Sequence, residues 1–295
     1  MVYDVIIVGG SYAGLSAGLQ LARARRTLLV LDSAQRRNRF AGNSHGFLGQ
    51  DGRPAADIAN DARNQLLAYP TVTWVSAIAS HGRQEAGLFE VDTLDGQRYS
   101  ARRLILASGV VDELPAIEGL ASRWGQSVFH CPYCHGYELE GGPIGVLANS
   151  ELAMHHALLL PEWGPTTFFT NGVFVPDAEQ RAQLAKRGVT LEEQRLSHIS
   201  GDQADVVLVD QRVIRLKGLF TQPRTHLASP LAERLGCELE AGAMGSFIKT
   251  DASRETSVGG VFACGDAALA FGSVAIAVGD GARAGAATHQ SLVLR

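Results

Sequence analysis

The strongest constraint on this chain lies in its first 32 residues, where two apolar runs flank a glycine-rich turn and a striped segment. Tyr3 to Val8 is apolar apart from Asp4, the pattern of a strand buried on both faces of a parallel sheet. Gly9-Gly10-Ser11-Tyr12-Ala13-Gly14 follows at once. The spacing predicts a helix from about Ala13 to Arg26, with Leu15, Leu19 and Ala22 on one stripe. Arg23, Arg25 and Arg26 crowd its end, where the helix dipole favours cations. A second strand, Thr27 to Leu31, then closes on Asp32. This is a βαβ unit, the opening of a doubly wound α/β fold.

The turn reads as G-x-G-x-x-G with Ser11 in place of the middle glycine. Gly9 allows the tight bend and Gly14 lets the helix pack close to the strand, while the middle position lets backbone approach a pyrophosphate. The pyrophosphate would rest on the helix N-terminus around Ser11, Ala13 and Gly14, where free N–H groups and the dipole meet it. Asp32 stands where an acid accepts hydrogen bonds from an adenosine ribose. The 33 glycines are about 11% of the 295 residues, against a usual value of roughly 7%. That excess points to backbone approaching ligand at several places.

The balance of charge excludes other classes. The formal net charge is −4 and there is no basic run, so nucleic acid is not an expected partner. No apolar stretch reaches the roughly 20 residues that span a bilayer. The opening MVYDVIIVGG lacks the basic region and cleavage site of a signal peptide. The expectation is a soluble, cytoplasmic protein.

Further along, residues 71–100 alternate short apolar runs with turns and read as a small antiparallel insert. Arg103 to Ala107 is another buried strand, ending in Ser108-Gly109, and Pro115 and Gly119 mark a linker. A second βα pattern starts at Ile144, with a helix through Leu160 and a strand from Thr166 to Thr170. Arg212 to Leu216 reads as one more strand, and Pro223 and Pro230 flank a return linker. The closing part is a strand over Gly260 to Cys264, the turn Gly265-Asp266, and a helix from about Ser273 to Leu292. The expected architecture is therefore α/β, with two Rossmann-like, three-layer nucleotide-binding domains and small antiparallel β segments. The second domain, residues 117–237, is inserted into the first, residues 1–116 and 238–295.

Four cysteines occur, and two of them, Cys131 and Cys134, have C-x-x-C spacing. Cys237 and Cys264 stand alone among apolar or small residues and read as buried hydrophobes. At a helix start a C-x-x-C pair can close a small disulfide ring, and helix N–H groups and neighbouring imidazoles favour the reactive thiolate. Thiolate attack and release then shuttle two electrons. Zinc would need two further ligands, and the chain has no second C-x-x-C or H-x-x-x-H pair, so no metal is expected. Cys-x-x-Cys-His is also the haem c attachment string, but that chemistry requires export. A reduced structural pair is the bland alternative.

Along nearly its whole length, and in the order of its parts, the chain resembles a low-molecular-weight thioredoxin reductase. Leu106-Ala107-Ser108-Gly109-Val110 resembles the A-T-G stretch where the chain of two-dinucleotide flavoproteins leaves the FAD domain. Gly260 to Asp266 resembles their second flavin motif. The resemblance implies FAD, with Asp266 on the ribityl chain and the N–H groups of Val274 and Ala275 on the pyrimidine edge of the flavin. Cys131-Pro132-Tyr133-Cys134-His135-Gly136-Tyr137-Glu138, with Arg37-Asn38 and Ser44-His45-Gly46-Phe47 upstream, is similar to the branch that includes dithiol oxidases of bacterial and fungal natural products. It implies that Asn38 and His45 belong to the cofactor site. It also implies that Cys134 faces the isoalloxazine while Cys131 exchanges with substrate. His135 stands where the reductases carry an acid/base aspartate, and takes that proton role. The partner implied is a thioredoxin-like protein or a small-molecule dithiol or disulfide, and the assembly a homodimer.

The second nucleotide motif should read G-x-G-x-x-A for NADP or NAD. Gly145-Val146-Leu147-Ala148-Asn149-Ser150-Glu151 offers only the first glycine. An arginine cluster for a 2′-phosphate is expected after the next strand. Thr170-Asn171-Gly172 stands there, with no basic residue until Arg181. Two enzyme readings therefore remain open: NAD(P)H reducing FAD and then the cysteines, or a dithiol reducing the cysteines and FAD, with oxygen as acceptor. A third reading is a flavin redox sensor with little turnover. His155 and His156 are expected as partly buried helix residues, and His289 at a surface or interface.

Overall fold

The computed structural model describes all 295 residues. Seven strands form the first sheet. Val2–Val8 lies at its centre, parallel to Leu28–Asp32 on one side and to Arg98–Leu106 on the other, and Val72–Ser76 forms the edge beyond Leu28–Asp32. Arg98–Leu106 serves two partners in turn. Its first residues pair antiparallel with Leu88–Thr93, which hairpins with Ala79–Glu85, and Leu104–Leu106 pairs parallel with Val261–Ala263. Val5, Ile6, Ile7, Leu28, Leu29 and Val30 have no exposed surface, as continuous apolar runs require in a sheet covered on both faces.

The predicted first helix runs Tyr12–Arg23 and stops earlier than the stripe suggested. Arg25 adopts φ +60°, a left-handed turn that ends the helix and releases the chain into the next strand. The 71–100 region is corrected as well. Val72–Ser76 is a parallel strand of the main sheet, and only the strands after it form the antiparallel insert.

The last helix, Val274–Leu294, crosses the first through small residues. A Cβ on Gly281 would lie 2.1 Å from the Ala13 carbonyl oxygen, and one on Gly285 2.4 Å from that of Ala17. Ser16 Oγ donates to the Val278 carbonyl, 2.7 Å away, across the same contact. This close approach sets the two helix N-termini side by side above the carboxyl ends of the strands, where open α/β sheets bind ligands.

The second sheet is wholly parallel, in the order Val128–Phe129, Gly218–Thr221, Ile144–Leu147, Thr166–Phe169, Thr190–Glu192. The strand expected at Arg212–Leu216 shrinks to Val213–Ile214 in a small antiparallel sheet, and the parallel strand follows it as Gly218–Thr221. An antiparallel ribbon of Val110–Glu113 and Arg224–Leu227 links the two sheets. No helix is long and apolar enough to cross a membrane.

Candidate active site

Two adjoining hollows form one cleft along the carboxyl ends of the first sheet. Gly9, Gly10, Ser11 and Asp32 line one end; Asn38, His45, Cys134, His135, Gly265, Asp266, Val274 and Ala275 line the other. Ser11, Ala107 and Ser108 face both, and Ala13 and Gly109 face the second. Gly14 and Cys131 alone among the predicted site residues touch neither hollow. Gly14 has a packing role, since its Cβ would sit 1.9 Å from the Gly9 carbonyl oxygen.

Each glycine of the turn has a distinct cause. Gly9 has φ +109°, and a Cβ there would meet the Ala107 carbonyl oxygen at 2.2 Å. Gly10 rests on Trp74 and donates its N–H to Asp32 Oδ1 at 3.1 Å. Ser11 has φ −96°, open to any side chain, so serine replaces glycine there without backbone strain. It makes no side-chain cap bond, which leaves the N–H groups of the first turn free for a ligand. At the start of the last helix, Ser273 accepts from the Ile276 N–H, and Val274 and Ala275 keep their N–H groups at the cleft. These donors, the Asp32 carboxylate and the length of the cleft fit an elongated anionic dinucleotide.

Behind the cleft, Asp280 holds the Gly265 turn. Its Oδ2 accepts from the Gly265 N–H at 2.9 Å. Its Oδ1 is 2.5 Å from Arg254 Nε, an ion pair off the line that a hydrogen bond needs. Gly265 itself has φ +69° and lies against Ala13. Sequence reading missed Asp280, which stands 15 residues beyond the turn it supports. It also gave Arg37 no role. The Arg37 guanidinium forks onto Asp112, with contacts from 2.6 to 3.2 Å, and reaches Asp266 Oδ2 at 2.9 Å. Burial opposes its charge, but the two carboxylates outweigh burial and hold the guanidinium firmly protonated.

Cys131 and Cys134 form a disulfide with Cα atoms 5.3 Å apart. Cys131 caps the single helical turn Pro132–His135, in which proline takes the first position. Gly136 follows it, where a Cβ would meet the Pro132 carbonyl oxygen at 2.7 Å and Trp163 at 2.8 Å. Trp163 also meets Tyr133 edge to face, 5.4 Å between centroids. The two sulfurs differ in access: Cys134 faces the cleft, whereas Cys131 is only 6% exposed. His135 stacks on Phe129 at 4.4 Å, and burial, aided by nearby His45, pushes its pKa down to about 4. Burial and the Arg37 charge hold His130, in the same wall, at about 3. Both imidazoles are therefore neutral at pH 7, able to accept a proton but not to keep a cationic reserve.

His45 Nδ1 stands 3.4 Å from Glu138 Oε1, so the upstream string and the cysteine string touch. The remaining histidines divide. His156 is buried, with Nδ1 unpartnered and its pKa pushed by burial to about 4, while His155 is exposed rather than partly buried. His289 is half-buried, 3.4 Å from Arg26. Cys237 and Cys264 are buried and unpaired, and burial raises both thiols.

The second sheet departs from the motif expected of it. Gly145 lies inside the strand Ile144–Leu147, packed on Leu216 and Leu219, so the turn after that strand contains no glycine. At the point where the strand order reverses, the Asn149 amide donates to the Gln222 carbonyl and bridges the crevice. The helix that follows is only seven residues long. One basic residue does reach the next turn: Arg195 Nε lies 2.9 Å from where a Gly172 Cβ would be. Linear reading stopped at Arg181 and missed it.

A first sheet with a parallel centre and a wholly parallel second sheet, with a C-x-x-C disulfide whose Cys134 stands in the wall of the cleft, define a disulfide oxidoreductase of Rossmann type. Residues 3–160 match the family model for pyridine nucleotide-disulphide oxidoreductases, and the chain belongs to that family. Thioredoxin reductase aclD of Aspergillus oryzae is 32% identical, covering 96% of this chain and 94% of its own. An oxidoreductase from Agrobacterium tumefaciens superposes with a TM-score of 0.97 at 57% identity, covering 99% of both chains. HlmI superposes with a TM-score of 0.91 at 33% identity, covering 99% of this chain and 93% of its own. The thioredoxin reductase-like resemblance seen in the sequence is borne out.

Proposed function

We propose that the chain is an FAD-dependent thiol–disulfide oxidoreductase in which a dithiol supplies electrons through Cys131–Cys134 and oxygen finally accepts them. The observation that carries this reading is Cys134 in the wall of the same hollow as Asp266, Val274 and Ala275. Bound there, FAD supplies a two-electron acceptor that dioxygen can reoxidise. Asp32 would take the adenosine ribose, the first-turn N–H groups around Ser11 and Ala13 the pyrophosphate, and Asp266 the ribityl chain, with Asn38, His45, Ala107, Ser108 and Gly109 walling the cleft.

For the thiol step, a substrate thiolate attacks one sulfur of the pair and releases the other as thiolate. The second substrate thiol then closes the product disulfide, leaving both enzyme cysteines reduced. Neutral His135 is the base that accepts a thiol proton during this exchange. The burial of Cys131 requires local opening before a partner reaches it. By family resemblance the assembly is a homodimer, which a solution mass measurement checks.

Nicotinamide is not the electron source in this reading, because the second crevice lacks a glycine turn and is bridged by Asn149. The rival reading is an NAD(P)H-driven reductase of a thioredoxin-like partner, and the placement of Arg195 beside Gly172 favours it. Anaerobic bleaching of the flavin with NADPH, NADH and dithiothreitol in parallel separates the two. Bleaching by dithiol alone is expected, and rapid bleaching by NADPH defeats the proposal. A colourless protein that cannot be reconstituted with FAD defeats both.

A further inference from the structure

The segment that carries Arg37, Phe40 and His45 is held by the first nucleotide unit, and at two points it also touches the second. Phe40 and Ala41 crowd Gly125, where a Cβ would meet Phe40 Cβ at 2.8 Å. Gly125 adjoins Trp124, a buried residue of the second unit's core. Five residues beyond Phe40, His45 meets Glu138 at 3.4 Å, four residues after Cys134.

Arg37 anchors this segment to both halves of the discontinuous first unit, through Asp112 in the ribbon that leads to the second unit and through Asp266. One face of its guanidinium forks onto Asp112, whose side chain is 9% exposed. Asp112 lies in the linking ribbon, two residues before Leu114, where the chain begins to pack on the second unit's core. The remaining nitrogen reaches Asp266, in the turn that faces the cleft. Only an arginine has the planar fork to hold two carboxylates in fixed directions. With Arg37 removed, two largely buried carboxylates face each other uncompensated.

We propose that Arg37 is a positioning residue for the redox pair: by tying Asp112, and with it the ribbon that carries the second unit, to Asp266 in the cleft, it holds the second unit over the cleft, so that Cys134 faces the flavin. The proposal rests on the FAD reading above, and its test keeps the two apart. In a Cys131→Ser background the single thiolate at position 134 reports its contact with oxidised flavin as a long-wavelength absorbance band. Into that background go Asp112→Asn, Arg37→Lys and Arg37→Met, and band intensity is measured per bound flavin. Asp112→Asn is expected to keep flavin content within a factor of two and to lose the band at least threefold. Arg37→Lys is expected to fall between the parent and Arg37→Met.

A second measurement needs no band. In reduced protein with both cysteines present, iodoacetamide is expected to alkylate Cys131 at least fivefold faster once Asp112→Asn frees the second unit. If the parent lacks the band, the assignment of Cys134 fails while the alkylation rate still tests the tether. If the parent shows the band and Asp112→Asn changes neither band nor alkylation rate, the tether is wrong and the FAD reading survives. A loss confined to flavin content in Arg37→Met, with Asp112→Asn silent, makes Arg37 a cofactor-binding side chain only and overturns the proposal.

Discussion

Two glycines two residues apart on the last helix are expected to respond in opposite ways to the same substitution. Gly281 faces the first helix, where an added methyl would lie 2.1 Å from the Ala13 carbonyl oxygen. Carbon and carbonyl oxygen tolerate about 3.3 Å, so the helices must part by about 1.2 Å. Backbone cannot rotate aside as a side chain can, which puts the strain near the top of the usual range, about 3 kcal/mol. Alanine returns about 1 kcal/mol of helix propensity, leaving Gly281→Ala destabilised by about 2 kcal/mol. That corresponds to a Tm lower by about 4–8 °C. Gly279 is exposed, and its added methyl meets nothing within 4 Å. Gly279→Ala therefore keeps only the propensity gain, about 0.5–1 kcal/mol of added stability. Because Ser273, Val274 and Ala275 ride on the same helix, the proposed FAD site predicts that Gly281→Ala also weakens FAD binding at least about tenfold, or about 1.4 kcal/mol. Thermal melts of the apoprotein and titration with FAD read both effects. A Gly281→Ala protein that melts at or above the parent refutes the packing argument outright.

Asp280→Ala removes the partner of Arg254 and of the Gly265 N–H together. A cost of about 3–5 kcal/mol is expected, with flavin loss before unfolding in urea. Full retention of flavin at the parent's midpoint would show that the turn holds itself. Acid stability tests His156, whose folded pKa of about 4 lies below its ordinary 6.5. Its contribution is present above pH 6.5 and is lost as pH falls toward 4, by about 3 kcal/mol in all. His156→Gln should flatten that part of the stability profile, and an unchanged slope assigns the loss elsewhere. For His135, with its pKa at about 4, no activity limb is expected near pH 6.5. A limb there that disappears in His135→Asn would show that burial does not hold its pKa down in the working protein.

Much of this could be read from sequence because the signals were local. The first βαβ unit is written in 32 consecutive residues, and Gly9, Ser11 and Asp32 fall where the turn chemistry puts them. Motif strings also placed Cys134, Asp266 and Ala275 in one site, though they lie far apart along the chain. What escaped depends on contacts that no spacing encodes. Arg37 meets Asp266 across 229 residues, and nothing in either neighbourhood announces the other. Arg195 reaches Gly172 only because the sheet brings two loops together. Gly145 misled for a different reason: a glycine serves a phosphate turn only past the strand end, and the sequence alone left the end of that strand undefined.

The pairing of Val261–Ala263 with Leu104–Leu106 also bears on the order in which the protein is made. A ribosome adding about 5–20 residues per second takes roughly eight to thirty seconds to travel from one strand to the other. Throughout that interval the nascent first sheet has an open apolar margin, a template for wrong pairing. Meanwhile the uninterrupted 128–221 stretch has emerged and can collapse by itself. Gly265, Asp266, Val274 and Ala275 arrive in the last stretch of the chain, so on the proposed FAD reading loading of the cofactor becomes the closing event of biosynthesis. If the cofactor is FAD, as proposed, flavin-starved cells should then accumulate a chain whose 128–221 stretch is folded and whose first sheet is open to proteases.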